Sequence, residues 1–429
     1  GLGTSSLVSI GGVDIFVAIY QVNGSLIKAI SMGGKDHEDL AQMAVDPSGN
    51  IYITGLFNDT ADFDPGINVY NLESNSRRNA YLAKYTNDGN LVYANAIGNI
   101  SDATSEGVTV AIDLRGRAVL GGQFRGSVDF DPGAGVSSST ATLEDGFIAR
   151  YDATGKYISH FNFDGYSNTL TLDADDNLYI TGVIVDSMDA DPGPARKMLY
   201  RSLTYDMYLM KLDSSGKFVK AKVFFSKNPY SSMRIVSDMY SHIYIIGWMS
   251  DTVYFDPQKP IFNNGINDAY IARFDVDLEH LNSFSIGGTS TDVMQGIHVN
   301  TKGGVWITGT FRNKIDMDPG PDSSIFNWYN TGVFFGYYLG TDELVNIQQL
   351  QDASMQIYSQ GHTVLINNIV PQNRVVYLNI YNMIGQLVAQ YENLAHGKTR
   401  IELPHIAAGI YYVQVTDGSS YLTRKVLLE

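Results

Sequence analysis

The chain has no cysteine. That excludes disulfides, thiolate metal sites and cysteine nucleophiles, while leaving the redox compartment open. No apolar run approaches the roughly 18 to 20 residues that a membrane-spanning helix needs. The chain opens at Gly1 with neither methionine nor a signal-peptide pattern, as a processed chain would. Basic residues are in deficit: 29 Lys and Arg stand against 45 Asp and Glu, for a formal charge of -16 and a pI near 4.8. They are scattered singly, so no basic stripe exists to neutralise a phosphate backbone, and nucleic acid is excluded as a partner. Helical periodicity is missing as well. What the sequence has in plenty is glycine, 42 residues, and tyrosine, 28. Both suit many short strands joined by tight turns. At 429 residues there is room for two or three domains and an ample core.

One short motif recurs. "DFDPG" at Asp62 to Gly66 returns as "DFDPG" at Asp129, "DADPG" at Asp189, a degenerate "YFDPQ" at Tyr254 and "DMDPG" at Asp316. The aspartates before the prolines are Asp64, Asp131, Asp191, Asp256 and Asp318, at intervals of 67, 60, 65 and 62 residues. Around them run two hairpin patterns. The first is "AVDPSGNIYITG", with relatives "AIDLRGRAVLGG", "LDADDNLYITG", "IVSDMYSHIYIIG" and "VNTKGGVWITG". The second is "NAYLAKYTNDGNLVYANAIG", whose six copies begin at Asp14, Asn79, Asp145, Asp206, Asp268 and Thr331. Large residues alternate on either side of an Asn-Asp-Gly turn, which is a strong two-strand signal.

Four short strands in roughly 60 residues, repeated without helical pattern, describe a blade that buries its faces only against its neighbours. The expected fold is all-β: a β-propeller of about six four-stranded blades over residues 1–350, one of them incomplete. A seven-bladed ring with truncation is the alternative, because the second hairpin has six copies and the first only five. The stretches "AYLAKYTNDGN", "AVDPSGNIYITG" and "DFDPG" together resemble the SBBP-type β-propeller repeats of bacterial surface proteins. That resemblance implies a scaffold and leaves the ligand open.

The repeated motif has two readings. In the first it is turn chemistry: Pro fixes φ, Gly accepts positive φ, and Asp bonds the backbone ahead of it. In the second the spaced carboxylates are calcium ligands, with backbone carbonyls completing an oxygen shell. The candidate ligands are Asp62 and Asp64, Asp129 and Asp131, Asp189 and Asp191, and Asp316 and Asp318. The fourth copy, with Tyr254 and Gln258, is expected to bind nothing. Turn chemistry is the favoured reading.

From about Ser354 the pattern changes to alternating strands over some 75 residues, which suggests a small Ig-like antiparallel sandwich at 354–429. The stretches "LNIYNMIGQLV", "LPHIAAGIYYVQV" and the terminal "TRKVLLE" look like the type A C-terminal sorting domain of the type IX secretion system. The signature positions carried over are Tyr381, Gly385, Gln386, Leu387, Gly409, Tyr411, Val413, Val415, Lys425 and Val426. The resemblance implies export to the periplasm, passage through an outer-membrane translocon that reads this domain, and delivery to the surface of a Gram-negative cell in association with its outer membrane. The junction at Gln351 to Ser354 has no Pro/Gly/Ser-rich spacer, which argues against efficient removal of the domain.

Catalytic patterns are scarce. The eight histidines are dispersed with no H-x-x-x-H pair, and no G-x-S-x-G elbow is present. His37, in "GGKDHEDL", reads as part of a solvated loop. The column Phe16, Tyr81, Phe147, Tyr208 and Tyr270 reads as core between blades and not as a sugar-stacking platform. The expected function is a non-enzymatic surface protein that binds or adheres, through loops, to a protein or glycan. A structural subunit of an outer-membrane complex is the alternative, followed by a glycan-active enzyme with a carboxylate pair hidden from sequence spacing.

Overall fold

In a computed structural model of the chain, every regular element of the described residues is a β-strand. The structure describes the chain apart from residues 1–5, 22, 75–77, 99–102, 185, 202–204, 227–229, 301–302, 321–322, 339–355, 361, 370–376, 383–386, 393–396, 408, 417–420 and 429. Two compact units divide at Asp342 and Glu343. That division, and the junction expected at Gln351 to Ser354, lie outside the described residues.

The first unit is a run of small antiparallel sheets. Glu38–Val45, Ile51–Phe57, Asn79–Tyr85 and Leu91–Ile97 form a four-stranded sheet in chain order. The second repeat aligns Thr104–Ile112, Ala118–Asp129, Ser138–Tyr151 and Tyr157–Phe163 in the same order. Tyr166–Leu172, Leu178–Ile184, Tyr205–Leu212 and Phe218–Ser226 make the third. The fourth comprises Tyr230–Ser237, Ile243–Met249, Asp268–Phe274 and His280–Ile286. A fifth has Asp292–Val299, Val305–Asp316 and Ile325–Tyr338 among the described residues. Ahead of them all stands a half-repeat, the hairpin Ile15–Tyr20 with Leu26–Gly34.

Much of the acidic excess is turn-making. Asp46 Oδ1 accepts from the backbone N–H of Ser48 and Asn50, 2.9 Å each. Asp113, Asp173 and Asp238 do the same in the following repeats. Asp152, Asp213 and Asp275 close the second hairpins in that way. Each is a side chain standing in for a backbone turn bond.

The glycine of "ITG" has an equally local cause. The first strand of every repeat carries a register irregularity, between Leu40 and Gln42 in the first. There the carbonyl of Asp39 leans onto Gly55, where a Cβ would collide with it. Gly182 meets Tyr166 and Gly247 meets Ser231 in the same fashion. Tyr81, Tyr208 and Tyr270 lie directly opposite these glycines and donate their hydroxyls to the same three carbonyls. A buried tyrosine so placed satisfies its polar end while its ring fills the core.

Cores form between successive sheets. Tyr52, Ala80 and Leu82 of the first repeat pack on Leu120, Phe124, Phe147 and Tyr151 of the second. Tyr179, Met207 and Leu209 of the third pack on Ile245, Met249, Tyr270 and Phe274 of the fourth. The aromatic column is therefore core at Tyr81, Phe147, Tyr208 and Tyr270. Phe16 departs from it and is exposed, because no sheet among the described residues packs on its side of the half-repeat. The last copy is shifted by one residue: Gly309 faces Phe334, so Gly332 and not Thr331 corresponds to Asn79. The second repeat has the same spacing, with Phe124 opposite Asp145 and Asp129 opposite Ser138.

The second compact unit has two antiparallel sheets. One holds Gln356–Gln360, Thr363–Ile369 and Gly397–Glu402; the other holds Tyr377–Asn382, Leu387–Tyr391, Gly409–Thr416 and Tyr421–Leu428. They share one core, Val364, Ile366 and Ile401 from the first sheet against Leu378, Ile380, Val413, Val415 and Val426 from the second. That is a small sandwich.

Candidate functional site

The D-x-D-P-G segment lies where the second strand of a repeat leaves its sheet. Its chemistry is mainly that of the residue between the aspartates. Phe63, Phe130, Ala190, Phe255 and Met317 are all buried, as are Ala61, Val128, Met188, Val253 and Ile315 before them. Phe63 sits 4.9 Å from the Tyr81 ring and 5.8 Å from Phe57, while Tyr85 donates its hydroxyl to the Phe63 carbonyl. Phe130 repeats this with Phe124, Phe147 and Tyr151. The segment is a plug with alternating faces, apolar inward and carboxylate outward. Sequence reasoning singled out the aspartates and missed the plug, although the alternation of apolar and acidic residues was the available signal.

All eight aspartates have structural employment. Asp62 Oδ1 accepts from the N–H of Asp64 at 2.9 Å and of Tyr70 at 2.8 Å. Asp129 holds Asp131 and Ser137, Asp189 holds Asp191 and Lys197, and Asp316 holds Asp318 and Ser324. The second aspartate of each pair, Asp64, Asp131, Asp191 or Asp318, accepts from the glycine two residues on. In the degenerate copy Asp256 still accepts from Gln258 N–H, at 2.8 Å, while Tyr254 stacks on Phe225. A calcium ion would be left the remaining oxygens. Among the described residues no three His, Asp or Glu side chains come together to hold a metal ion.

These bonds build a small hairpin on each repeat. Asp62 pairs with Asn71, Asp129 with Ser138, Asp189 with Met198 and Asp316 with Ile325. Its base is clasped to the preceding repeat: Asp62 lies opposite Gly33, Asp129 opposite Gly98, Asp316 opposite Gly287, and Tyr254 opposite Phe225. Beyond the clasp the sequences diverge and turn apolar outward. Ile67 and Val69, Val136, Tyr200, Phe262, and Phe326 are exposed on or beside the five hairpins. Rigid bases carrying variable exposed tips are a usual arrangement for recognition.

The nearest approach to a catalytic constellation is on the second repeat. Ser139 Oγ lies 2.9 Å from His160 Nε2, and Tyr157 Oη lies 2.7 Å from His160 Nδ1. The ring stacks on Phe130 at 4.2 Å, and burial holds its pKa below the usual histidine value. Ser139 also donates to Asn162, so its hydroxyl is shared. His37 is half-buried, bridged through its backbone to Val13, and its ring lies 3.0 Å from the Asp39 carboxylate. Its neighbour Glu38 is buried instead, its pKa pushed up to about 6 by that burial.

Of the sorting-domain positions, Tyr411, Val413, Val415 and Val426 are buried in the sandwich core, and Tyr411 Oη donates to the Ala407 carbonyl. Tyr381 is half-buried with its hydroxyl 3.4 Å from Gln414, and Leu387 is exposed. Gly409 and Lys425 lie on neighbouring strands, Gly409–Thr416 and Tyr421–Leu428. Gly385 and Gln386 lie outside the described residues. No helix of the described residues is long and apolar enough to cross a membrane.

Residues 362–429 match the secretion system C-terminal sorting domain family. A regulatory protein, FlaEY, of Caulobacter vibrioides is 20% identical over 71% of this chain, which spans 33% of that protein's length. A crystal structure of a Bacteroides caccae protein of unknown function is similar at 8% identity and a TM-score of 0.36, over 67% of this chain and 76% of that one. A luciferin-regenerating enzyme is similar at 12% identity and a TM-score of 0.23, over 69% and 90%. The sorting-domain match, on a sandwich whose core contains four of the signature positions, implies export through the type IX secretion system to the cell surface or beyond.

Proposed function

We propose that this protein is a secreted, non-enzymatic binding protein whose repeats are the blades of a β-propeller and whose ligand, a protein or glycan, is held by the hairpin tips. The propeller reading is supported by one bond: Arg234 of the fourth repeat donates to the Ala41 carbonyl of the first at 3.3 Å, so innermost strands three repeats apart meet. Val110 N–H likewise donates to Gln42 between the first and second. Strands that converge on each other in this way surround an axis.

Binding rests on the hairpins. Their bases are fixed by the plug and the clasp, and their tips expose apolar residues that differ from copy to copy. Replacing Ile67, Val69, Val136 and Phe262 by serine leaves the core intact, and the sorting sandwich with it. Wild-type and substituted full-length chains would be compared on a glycan array and against surface extracts of the producing cell. The reading expects secretion unchanged and binding lost. Retained binding by the substituted chain would sink it, and recovery of the wild type only in a fixed-stoichiometry membrane complex would favour the subunit alternative.

A further inference from the structure

The repeats stack with a constant polarity. Call the side of each sheet that bears Tyr81, Ala83 and Tyr85 its front, and the side that bears Ala80, Leu82 and Lys84 its back. The back of the half-repeat, with Ile15, Val17, Ile30 and Met32, packs on the front of the first repeat. The back of the first packs on the front of the second, and the third packs on the fourth with the same polarity. This rule states what covers any given face.

Among the described residues, two faces of the run have no cover. On the front of the half-repeat Phe16 is 68% exposed and Tyr20 59%, whereas their counterparts Tyr81 and Tyr85 are both 0%. Ala18, Ala29 and Leu26 match Ala83, Ala94 and Leu91 position for position across the paired strands. The residues are those of a buried front. On the back of the fifth repeat Val333 is 76% exposed and Phe335 68%, where Ala80 and Leu82 of the first repeat are both 0%. Trp306 lies beside Phe335 and Tyr337, with ring centroids 5.1 and 4.3 Å away, and widens this face into an aromatic platform. Contiguous apolar patches of this kind mark interaction surfaces.

We infer that the two faces cover each other between copies of this chain: the back of the fifth repeat of one molecule seats on the front of the half-repeat of the next. The contact is the molecule's own inter-repeat seam continued from one chain into another. It is heterologous, each copy giving one face and receiving the other, so nothing in it limits the assembly to a dimer. The inference takes the proposed propeller to be open between its fifth repeat and its half-repeat, and it is independent of what the hairpin tips bind.

Phe16→Asp and Phe335→Asp, made singly in the full chain, each spoil one face at an exposed position where folding has little at stake. Sedimentation velocity of the wild type is expected to show association that grows with concentration, and each variant alone is expected to be a monomer. An equimolar mixture of the two is expected to form a one-to-one dimer that grows no further, since each retains the face the other lacks. A wild type that stays monomeric at every concentration overturns the inference, whether the faces close within one chain or hold a different molecule. A mixture that remains monomeric overturns it as well.

Discussion

The seam between the first and second repeats and the seam between the fourth and fifth solve one problem with different chemistry. In both, a residue at the start of a third strand faces one at the start of the next repeat's first strand, beside a parallel bridge, Arg78 with Thr104 or Asn267 with Thr291. In both, a glycine, Gly98 or Gly287, ends the outer strand and is clasped to the next plug. The first seam uses Asn79 and Ser105. Ser105 Oγ accepts from Ala80 N–H at 2.9 Å and donates to the Ile97 carbonyl. The other uses Asp268 and Asp292, both fully buried. Asp268 Oδ2 accepts from Asn264 N–H and Asp292 Oδ2 from Gly288 N–H, 2.7 Å each, while Asp268 Oδ1 has no partner among the described residues. The architecture asks for short polar side chains that tie down a loop. Negative charge is an addition, and burial makes it costly.

The largest effect should come from breaking both seams alike. A Cβ on Gly287 would strike the Asp268 carboxyl group and one on Gly98 the Asn79 amide. Gly287→Ala should cost about 3 kcal/mol in urea unfolding, and Gly98→Ala more, because its φ of 139° is one that side-chain-bearing residues rarely adopt. Equal losses would mean that the backbone at Gly98 relaxes.

The next effect separates them. Burial, then the nearby Asp292 charge, raises the Asp268 pKa to about 6, and burial raises Asp292 to about 6. Unfolded carboxyls titrate near pH 4. The folded chain therefore binds these protons more tightly, and the stability they give is full below about pH 4 and lost as pH rises through about 6. Asp268→Asn with Asp292→Asn should stabilise the chain by on the order of 2 kcal/mol at neutral pH and give little near pH 4. A difference that does not change with pH would refute the charge argument.

Ser105→Ala should cost about 1 to 2 kcal/mol, by stranding the Ala80 N–H and the Ile97 carbonyl, and that cost should not vary with pH. Smallest is Asp129→Asn at the first of these seams. The amide oxygen can still accept from Asp131 and Ser137, so the loss should stay below about 0.5 kcal/mol with or without added calcium. A large loss, or wild-type stability that rises with calcium, would favour the metal reading.

Strand number, hairpin order and the sandwich were legible because turns and two-residue alternation are local properties. Asp46, Asp152 and their counterparts announce hairpins within five residues, whatever the rest of the chain does. Roles fixed by long-range pairing were not legible. Glu38 sits in a charged loop by sequence and is buried, accepting from Gly34 N–H of the half-repeat, and Phe16 reads as core but is exposed. In the repeated motif the aspartates drew the eye because they could bind a metal. Phe63 and Phe130 between them declare their purpose only once Tyr81 and Phe147 are seen alongside.

The plug also separates what a repeat inherits from what it can vary. Because Phe63 and the two aspartates beside it fix the base, with Asp62 bonded to Tyr70 across the hairpin, a duplicated repeat arrives with a working base and tip side chains free to diverge. Changes in tip sequence that keep the eight-residue span between Asp62 and Tyr70 leave that base in place. A chain assembled from such parts can acquire new contacts one hairpin at a time without renegotiating its stability.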